Sequence, residues 1–408
     1  MSRQDRASTR REFMKALGAA AAAPYFLTSA ALGSGEQPGA NDRIVMGCVG
    51  MGGQGTGDMR GFLGFPQVRV VAVCDCNKDH RDRAKKAVDD KYKNTDCVAV
   101  NDFREVTQRE GIDAILIGTP DHWHAIVSCD AMRHGKDIYC EKPETLTIRE
   151  GRIMVETARR YGRVFSGGSQ RVWGDYNWFH KMARGGVIGE VKEAWVDCWG
   201  PSAPCNLPAE PIPPGLDWDM WLGPAPWAAF NKGRLNFRPW RDYSGGGMTD
   251  WGAHNFGGAL FTCSLQDTGP VEVLPPDGQD NKLLTFVFEN GLRMHHTGGW
   301  GGNLSFRGTL GELPDRTGKL PKQPPNIHIP NYHGSGGIFG DFLTCVRTRQ
   351  RPFRDIEVAH RTVTVCHLGN IAYRLGRPLK WDHVKEEFVG DDEATRLLDR
   401  PKREPWRL

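Results

Sequence analysis

The chain has 408 residues and a formal net charge of +4, from 53 Lys and Arg against 49 Asp and Glu. A hydrophobic fraction of 39% with 25% charged residues is typical of a globular protein, and the length suits two domains because a single core rarely grows past about 300 residues. The basic residues are scattered, which excludes a nucleic-acid partner from the prediction, and no apolar stretch after the N-terminus is long enough to span a bilayer.

The first 34 residues have the pattern of an export signal. Arg10 and Arg11 form a basic pair, Phe13 follows two residues later, and an Ala-rich apolar run extends over residues 16–32. This arrangement resembles a twin-arginine signal and predicts an exported, periplasmic protein. An amphipathic N-terminal helix on a cytoplasmic protein is the alternative. A Gly- and Pro-rich linker is predicted at residues 35–42.

The eleven cysteines are placed mainly where thiols act as small buried apolar groups. Cys48, Cys74 and Cys76, for example, lie in apolar runs of strand type. Cys198 and Cys205, in a Pro-rich region, form the one plausible pair. Folding in a reducing cytoplasm before export would account for so many free thiols.

A dinucleotide-binding unit is predicted next along the chain. An apolar run at residues 43–49 leads into Gly50-Met51-Gly52-Gly53-Gln54-Gly55 and a helix-compatible segment at 56–63. In such a turn Gly50 makes the tight bend, Gly52 lets the backbone approach a pyrophosphate, and Gly55 allows close helix packing.

Asp75 follows the second apolar run, residues 68–74, where an acid accepts hydrogen bonds from the adenosine ribose. A carboxylate there would repel a 2'-phosphate, so Asp75 favours NAD over NADP. Further strands are predicted at 114–118 and 137–139, and the predicted Rossmann domain spans 43–163. A Gly-rich turn without a nucleotide is the alternative.

Three later motifs together resemble the Gfo/Idh/MocA family of glucose-fructose oxidoreductases and inositol dehydrogenases, and most closely its exported, twin-arginine-signal branch. They are Thr119-Pro120-Asp121-His122-Trp123-His124, Glu141-Lys142-Pro143 and Asp250-Trp251-Gly252-Ala253-His254. The resemblance implies an α/β protein with an N-terminal, doubly wound parallel Rossmann sheet. A C-terminal α+β domain with a large, open, mostly antiparallel sheet would occupy residues 164–384, followed by a charged tail at 385–408.

The resemblance assigns Lys142, Asp250 and His254 to catalysis. An ammonium group beside a hydroxyl stabilises the alkoxide that develops as hydride leaves, and a His with a pKa near neutrality can take the hydroxyl proton. Asp250 is four residues before His254, so on one helix the two would share a face, where Asp250 would orient the substrate or tune the His. A surface Lys, or a helix-terminal Asp with a core-facing His, is the alternative. The family often has an acid where this chain has Gly257, so the hydroxyl contacts near that point are open.

The remaining predicted site residues contact the cofactor or, more weakly, the substrate. The cofactor set is Gly50, Met51, Gly52, Gly53, Gln54, Gly55, Asp75, Thr119, Pro120, His122, His124, Glu141, Lys142 and Gln170. The substrate set is Arg171, Tyr176, Tyr243 and His333. His122 with His124, and His295 with His296, are possible metal pairs, but neither has further ligands at a recognisable spacing, so no metal is predicted.

These observations predict an NAD(P)-dependent oxidoreductase that acts on a secondary hydroxyl of a sugar or polyol. The Trp-rich region after residue 172 offers flat faces for sugar rings. NAD is expected to be bound tightly, because an exported enzyme lacks a pool of free cofactor. Two alternatives stay open: a redox-neutral, NAD-dependent glycosidase that acts through a 3-keto sugar, and a non-catalytic sugar- or nucleotide-binding protein. The resemblance also implies a homo-oligomer, either a dimer or a tetramer.

Overall fold

A computed structural model describes residues 38–299 and 302–408. The chain divides into two units, residues 1–43 and Ile44–Leu408. The described part of the first unit is a short 3-10 turn, Ala40–Asp42, next to which Arg43 donates from Nε to the Pro38 carbonyl at 3.2 Å. The export signal and the first part of the linker lie outside the described residues.

The first sheet of the second unit has six strands, all parallel, in the order β3-β2-β1-β4-β5-β6. The strands are β1 (Ile44–Val49), β2 (Val68–Cys74), β3 (Val98–Val100), β4 (Ala114–Ile117), β5 (Asp137–Cys140) and β6 (Phe165–Gly167). Helices cover both faces, so the central strands are almost continuously apolar and buried. The sequence-based prediction of a Rossmann sheet is confirmed.

Five helices connect these strands. They are α1 (Gly53–Phe62), α2 (Lys78–Tyr92), α3 (Arg104–Thr107), α4 (Asp121–Arg133) and α5 (Ile148–Arg160). Local capping fixes where some of them begin. The Asn77 side chain accepts from the Asp79 amide, and Thr147 and Glu150 form a reciprocal capping box at the start of α5.

The sixth strand changes the predicted domain boundary. Residues Ile138–Cys140 of β5 pair with Phe165–Gly167, and all three residues of β6 are buried. The first sheet therefore extends to Gly167, four residues beyond the boundary predicted at residue 163, because this short apolar run completes the sheet edge.

The second sheet has eight strands in the order β12-β11-β7-β10-β9-β8-β13-β14. Only β7 and β10 run parallel, so the sheet is mostly antiparallel, as predicted. The strands are β7 (Val191–Val196), β8 (Pro270–Leu274), β9 (Leu284–Phe288), β10 (Arg293–His296), β11 (Leu304–Gly308), β12 (Glu312–Leu313), β13 (Leu379–Asp382) and β14 (Glu387–Phe388).

Helices of the C-terminal region pack against this sheet and against the first domain. They are α6 (Gln170–Gly174), α7 (Asn177–Arg184), α8 (Trp218–Leu222), α9 (Gly247–Asp250), α10 (Gly252–Thr262), α11 (Gly337–Thr348), α12 (Ile356–Leu375) and α13 (Asp392–Thr395). Phe256 of α10, for example, meets Phe286 of β9 edge-on at 5.3 Å between ring centroids. This contact lies in the main core of the second domain.

The segment predicted to be a charged tail is folded. Phe388 lies in β14 and is buried, as are Leu398 and Trp406. The Trp406 ring packs 4.7 Å from that of Trp123 and 6.0 Å from that of Phe103 in the first domain. Three well-spaced apolar side chains therefore hold residues 385–408 on the protein in spite of their many charges.

All eleven cysteines are free thiols, including Cys198 and Cys205. The suggested disulfide between these two is therefore not formed. Within residues 38–299 and 302–408, no helix combines the length and the apolar character that crossing a membrane requires.

Candidate active site

A cavity of about 390 Å³ opens at the carboxyl ends of the first sheet's strands. Ligands of parallel α/β sheets bind at this edge, where the strand order reverses. Residues that directly follow β1, β2, β4 and β5 line the cavity, namely Gly50, Asp75, Gly118 and Glu141. Of the other predicted cofactor residues, Gly52, Gly53, Gln54, Thr119, Pro120 and Lys142 also line it.

The glycine loop has the geometry that a phosphate-bearing group needs. Gly50 has φ +82°, and a Cβ on it would lie 2.4 Å from the Thr119 amide nitrogen. A Cβ on Gly55 would lie 2.0 Å from the Gly50 oxygen, so its absence lets α1 pack against β1. A Cβ on Gly52 or Gly53 would meet nothing within 4 Å. The open backbone at the start of a ten-residue helix fits the pyrophosphate of a dinucleotide.

Asp75 both lines the cavity and braces the loop. Its Oδ2 accepts from the Met51 amide at 2.7 Å, and its Oδ1 accepts from the Asn77 amide at 2.8 Å. A carboxylate has about four acceptor positions, so it can still take hydrogen bonds from ribose hydroxyls. Met51 itself turns its side chain into the core.

Residues 215–238, here called the strap, form the opposite wall of the nucleotide part of the cavity. Six of its residues line the cavity: Leu216, Met220, Trp221, Leu235, Phe237 and Arg238. The sequence suggested the Trp residues of this segment as faces for a sugar ring, but it did not predict the segment as a wall of the nucleotide cavity, because none of its residues belongs to a nucleotide-binding motif.

The strap is fastened to the first domain along its length. Lys78 donates its amide to the Gly215 carbonyl at 2.8 Å, and Asn101 Nδ2 donates to Asp217 Oδ2 at 2.8 Å. The Trp123 indole donates to the Met220 carbonyl at 3.1 Å. Because these bonds join the strap to three different parts of the first domain, the cavity is closed on this side.

Lys142 and Asp250 form the charged centre of the site. Lys142 Nζ donates to Asp250 Oδ1 at 2.6 Å and to the Asp250 carbonyl at 3.1 Å. Arg238 Nε lies 3.1 Å from the same Oδ1. Burial alone would raise the pKa of Asp250, but the two cations outweigh it and hold the pKa below its usual value. Asp250 is therefore a fixed anion that holds the Lys142 ammonium in place.

His254 stands close to this pair as a neutral base. It is buried, and its Nδ1 has no hydrogen-bond partner in the described part of the chain. Burial, together with the positive charges of Lys142 and Arg171, moves the pKa of His254 well below its usual value. A neutral imidazole with a free ring nitrogen can accept a proton. Asp250 and His254 do not share one helix as expected, because Trp251 separates α9 from α10.

A buried pair of carboxyl groups, Asp58 and Glu141, lies beside Lys142. Gln170 Nε2 donates to Glu141 Oε1 at 2.8 Å, and Gln54 Nε2 donates to Asp58 Oδ1 at 3.1 Å. Burial and the neighbouring Glu141 raise the pKa of Asp58 to about 9, so the pair holds a proton at neutral pH. Gln54, Glu141 and Gln170 were predicted here, whereas Asp58 was missed because it is the sixth residue of α1 and outside the glycine motif.

Five predicted cofactor residues do not line the cavity, namely Met51, Gly55, Gln170, His122 and His124. His122 Nε2 lies 3.0 Å from the Trp221 carbonyl, and the two ring nitrogens of His124 lie 2.7 Å from the Pro143 carbonyl and 2.8 Å from that of Thr119. Burial lowers the pKa of both rings to about 4. They therefore anchor the strap and the Lys142 loop, because the first turn of α4 directs their rings into the protein.

Three predicted substrate residues also lie away from the cavity wall. Tyr176 is buried and donates its hydroxyl to Asn255, and Tyr243 is buried with its hydroxyl accepting from Arg234 at 3.1 Å. His333 is exposed on a loop. The two tyrosine side chains are used for packing, as most large aromatics are.

Arg171 remains near the site. It pairs with Asp175, and its guanidinium lies 4.8 Å from the centre of the Trp251 ring. It acts on His254 through its charge.

The sequence-based search overlooked Asp121 and Arg238, both of which line the cavity. Asp121 belongs to a motif that was recognised, but the motif does not show which residue of the first helical turn faces the cavity. Arg238 comes from the strap and belongs to no recognised motif.

Among the described residues, no group of three or more His, Cys, Asp or Glu is arranged to hold a metal ion. His296, one of the considered ligands, instead lies 2.7 Å from the Tyr373 hydroxyl and 2.6 Å from the Cys198 carbonyl.

Two family models match consecutive parts of the chain. A model of the Gfo/Idh/MocA oxidoreductase family, NAD-binding Rossmann fold, matches residues 44–169. The model of the family's C-terminal alpha/beta domain matches residues 181–291 and 295–408. Together the two models cover both described sheets.

The chain is also similar to individual proteins. It is 31% identical to a glycosyl hydrolase family 109 protein of Saccharopolyspora erythraea over 131 residues, which are 30% of this chain and 28% of that protein. It is 30% identical to an alpha-N-acetylgalactosaminidase of Shewanella oneidensis over 169 residues, 37% of each chain. The matched part thus spans about a third of the length of these relatives. The solved structure of myo-inositol 2-dehydrogenase from Lactobacillus plantarum shares the fold, with a TM-score of 0.60, 16% identity and coverage of 83% of this chain and 99% of that one.

Proposed function

Because the chain belongs to the Gfo/Idh/MocA oxidoreductase family, whose N-terminal domain is an NAD-binding Rossmann fold, we propose that it oxidises a secondary hydroxyl of a sugar or polyol with NAD. The observation that carries this proposal is the contact of Asp250 with Lys142, a residue that lines the nucleotide cavity, together with the neutral His254, on which the charges of both residues act. These are the groups that moving a hydride and a proton from a carbinol requires.

The protein's own residues would divide the work. The Lys142 ammonium stabilises the alkoxide that develops on the substrate oxygen, and Asp250 keeps this ammonium charged and in place. His254 accepts the hydroxyl proton at Nδ1. The bound nicotinamide supplies the hydride acceptor, and the open amides at Gly52 and Gly53 would hold its pyrophosphate.

We further propose that NAD is the preferred form and is held tightly. The support for NAD over NADP is the Asp75 carboxylate at the ribose end of the cavity. The support for tight binding is the strap, which covers the nucleotide part of the cavity and is held to the first domain by the bonds of Asp217 and Met220. A resident cofactor must return each hydride that it takes.

The sequence pattern of residues 1–34 supports export by the twin-arginine route, which carries folded proteins and so suits a protein loaded with its cofactor. On this proposal the enzyme is periplasmic and belongs to the exported branch of its family. The family resemblance supports a homo-oligomer, dimer or tetramer.

A second candidate function is a redox-neutral glycosidase. Two observations favour it: the similarity to glycosyl hydrolase family 109 proteins, and a buried cavity carboxyl, Asp121, that the oxidation step leaves unused. In such a cycle a transient ketone acidifies the neighbouring C–H bond, and the aglycone is then eliminated.

The test of the proposal is a cofactor assay followed by a sugar panel. Protein purified without added nucleotide and then denatured should release close to one equivalent of NAD or NADH. Mixing the native protein with myo-inositol and a set of aldoses should produce the absorbance of reduced nicotinamide for at least one compound. Protein that neither contains nor binds NAD would contradict the proposal, and NAD-loaded protein that reduces no cofactor with any sugar would favour a non-catalytic binding role.

A further inference from the structure

Asp121 is a buried carboxyl group that the oxidation step does not use. It is the first residue of α4, it is 3% exposed, and it lines the same cavity as Lys142 and Arg238. Its Oδ2 has no hydrogen-bond partner in the described part of the chain. Buried polar atoms nearly always have a partner, so an unpartnered oxygen at a cavity wall points to a ligand.

The surroundings of Asp121 differ from those of Asp250 in one decisive respect. Asp250 directly contacts both Lys142 and Arg238, whereas none of the ion pairs formed by the described residues includes Asp121. Burial raises the pKa of Asp121 to about 7. The hydroxyl of Ser244 and the more distant charges of Arg238 and Lys142 act in the opposite direction and lower this pKa. The negative charge of Asp250 also raises the pKa of Asp121. Two carboxyl groups whose pKa values are separated in this way suit two different roles.

We propose that Asp121 is the acid that protonates the leaving oxygen of a glycoside substrate in this cavity. This inference rests on the second candidate function and makes it specific, since it identifies the substrate class as O-glycosides. It also assigns the proton donor that the sequence alone did not identify.

Asp121 supplies the proton that the leaving oxygen takes up in the elimination. Once the substrate carries a ketone, and the first proton on His254 has passed to water, the same imidazole takes the proton from the neighbouring carbon. The electron pair of that C–H bond forms a carbon–carbon double bond, the bond to the aglycone oxygen breaks, and this oxygen takes the Asp121 proton. In the return step water adds its oxygen to the anomeric carbon and a proton to Asp121, while His254 returns its proton to carbon. The ketone carbon then takes back the hydride, and the ketone oxygen takes a proton from water, so the cycle is redox-neutral.

The experiment compares Asp121→Asn with the wild-type protein on two substrates that differ only in their leaving group. The probes are 4-nitrophenyl and methyl N-acetyl-α-galactosaminide, chosen because a relative is an alpha-N-acetylgalactosaminidase. Nitrophenolate leaves without protonation and methoxide does not. General acid catalysis contributes about 10²–10⁴-fold, so we expect kcat to fall by at least about 100-fold on the methyl glycoside and by less than about 10-fold on the nitrophenyl one.

Two controls keep the result interpretable. Asp90→Asn removes a carboxylate from an exposed position on α2, where Asp90 pairs with Lys86, and should change neither rate. The NAD content of Asp121→Asn should match the wild-type value, which separates loss of the acid from loss of folding. The nitrophenyl substrate needs the same oxidation step, so its rate separates loss of the acid from loss of oxidation in the same variant.

The outcomes separate this inference from the proposed function. Equal losses on both glycosides, or no loss, would overturn the role of Asp121 while the oxidation of sugars stands. Wild-type protein that forms reduced nicotinamide but releases neither aglycone would overturn the elimination cycle and the Asp121 role with it. A protein without NAD would instead contradict the proposed function itself.

Discussion

The cavity has one wall made of backbone and another made of charged side chains. At the glycine loop the important atoms are backbone amides. Glycine is needed at two positions of this loop, because a Cβ on Gly50 or Gly55 would overlap backbone atoms. Around Lys142 the important atoms are the charged ends of side chains that come from the loop after β5, the strap and α9.

This difference separates two kinds of dependence on sequence. The backbone wall tolerates most changes of side-chain chemistry but no added volume at a few points, whereas the charged wall tolerates changes of volume but no loss of charge. Cofactor retention should therefore respond to volume on the first wall, and turnover should respond to charge on the second.

The largest expected effect is on the charged wall. Lys142→Met removes the ammonium that stabilises the alkoxide, and the loss of one such group costs roughly 10²–10³-fold in kcat. NAD content should stay at the wild-type level, because the glycine loop and the strap are unchanged. Single-turnover reduction of bound NAD measures the rate. Lys192→Met, at a half-exposed position paired with Glu190, is the matched control, and a similar rate for both variants would remove Lys142 from the catalytic set.

A methyl group on the backbone wall should give the next largest effect. Gly55→Ala places a Cβ 2.0 Å from the Gly50 oxygen and forces α1 away from β1, which should cost about 1–3 kcal/mol of unfolding free energy and loosen NAD. Gly57→Ala, two residues further on the same helix, meets nothing within 4 Å and should be neutral or slightly stabilising. Urea unfolding and the dissociation rate of NAD would show both. Equal behaviour of the two variants would contradict the close packing at Gly55.

Removal of the positive charge of Arg238 should have a moderate effect on kcat/KM. Arg238→Gln leaves Asp250 with Lys142 as its one direct cation partner, and we expect kcat/KM to fall by about tenfold, which corresponds to about 1.4 kcal/mol. The loss should be well below that of Lys142→Met, because Arg238 acts through Asp250. Steady-state kinetics on the same sugar would measure it, and a loss as large as that of the Lys142 variant would assign Arg238 a direct role.

The smallest expected effect is a shift in the pH dependence of the oxidation rate. Since the folded protein holds the pKa of His254 well below 6.5, oxidation should keep its rate as pH falls through 6.5 and decline only near the lowered pKa. Arg171→Gln removes one of the positive charges that lower this pKa, so the acidic limb should move to higher pH. Rate against pH for both proteins checks this, and a limb that moves to lower pH would contradict it.

The same His makes stability depend on pH in a defined direction. The unfolded chain binds a proton at His254 near its usual pKa and the folded chain does not, so this group destabilises the fold progressively as pH falls below about 6.5. Chemical unfolding at several pH values should show a shallower acidic decline for His254→Gln than for the wild type. A parallel decline would contradict the buried neutral state.

The two walls also differ in how far the sequence predicts them. Gly50, Gly52 and Asp75 are close to strand ends in sequence, and the local pattern predicted their position at the cavity. Thr119, Pro120, Lys142, Asp250 and His254 were predicted from family motifs. Lys142 contacts Asp250 directly, and the charges of both act on His254.

Residues fixed by long-range packing were not predictable. Arg238 reaches the site because bonds at Gly215 and Asp217 hold the strap across the cavity, and these bonds connect residues more than one hundred positions apart. Asp121 faces the cavity while His122 and His124 do not, which depends on the angle at which α4 leaves β4. Neither property is encoded in the spacing of residues along the chain.

The Trp406 ring seated between Trp123 and Phe103 has a consequence for biosynthesis. Both partners line the nucleotide cavity, so one part of its wall is supported by a side chain made almost three hundred residues later. Domains made early fold first during translation, and the Rossmann domain would emerge with this support missing. A ribosome-bound fragment ending before residue 406 would thus offer NAD an unfinished site, and stable loading with cofactor would be an event of the completed chain.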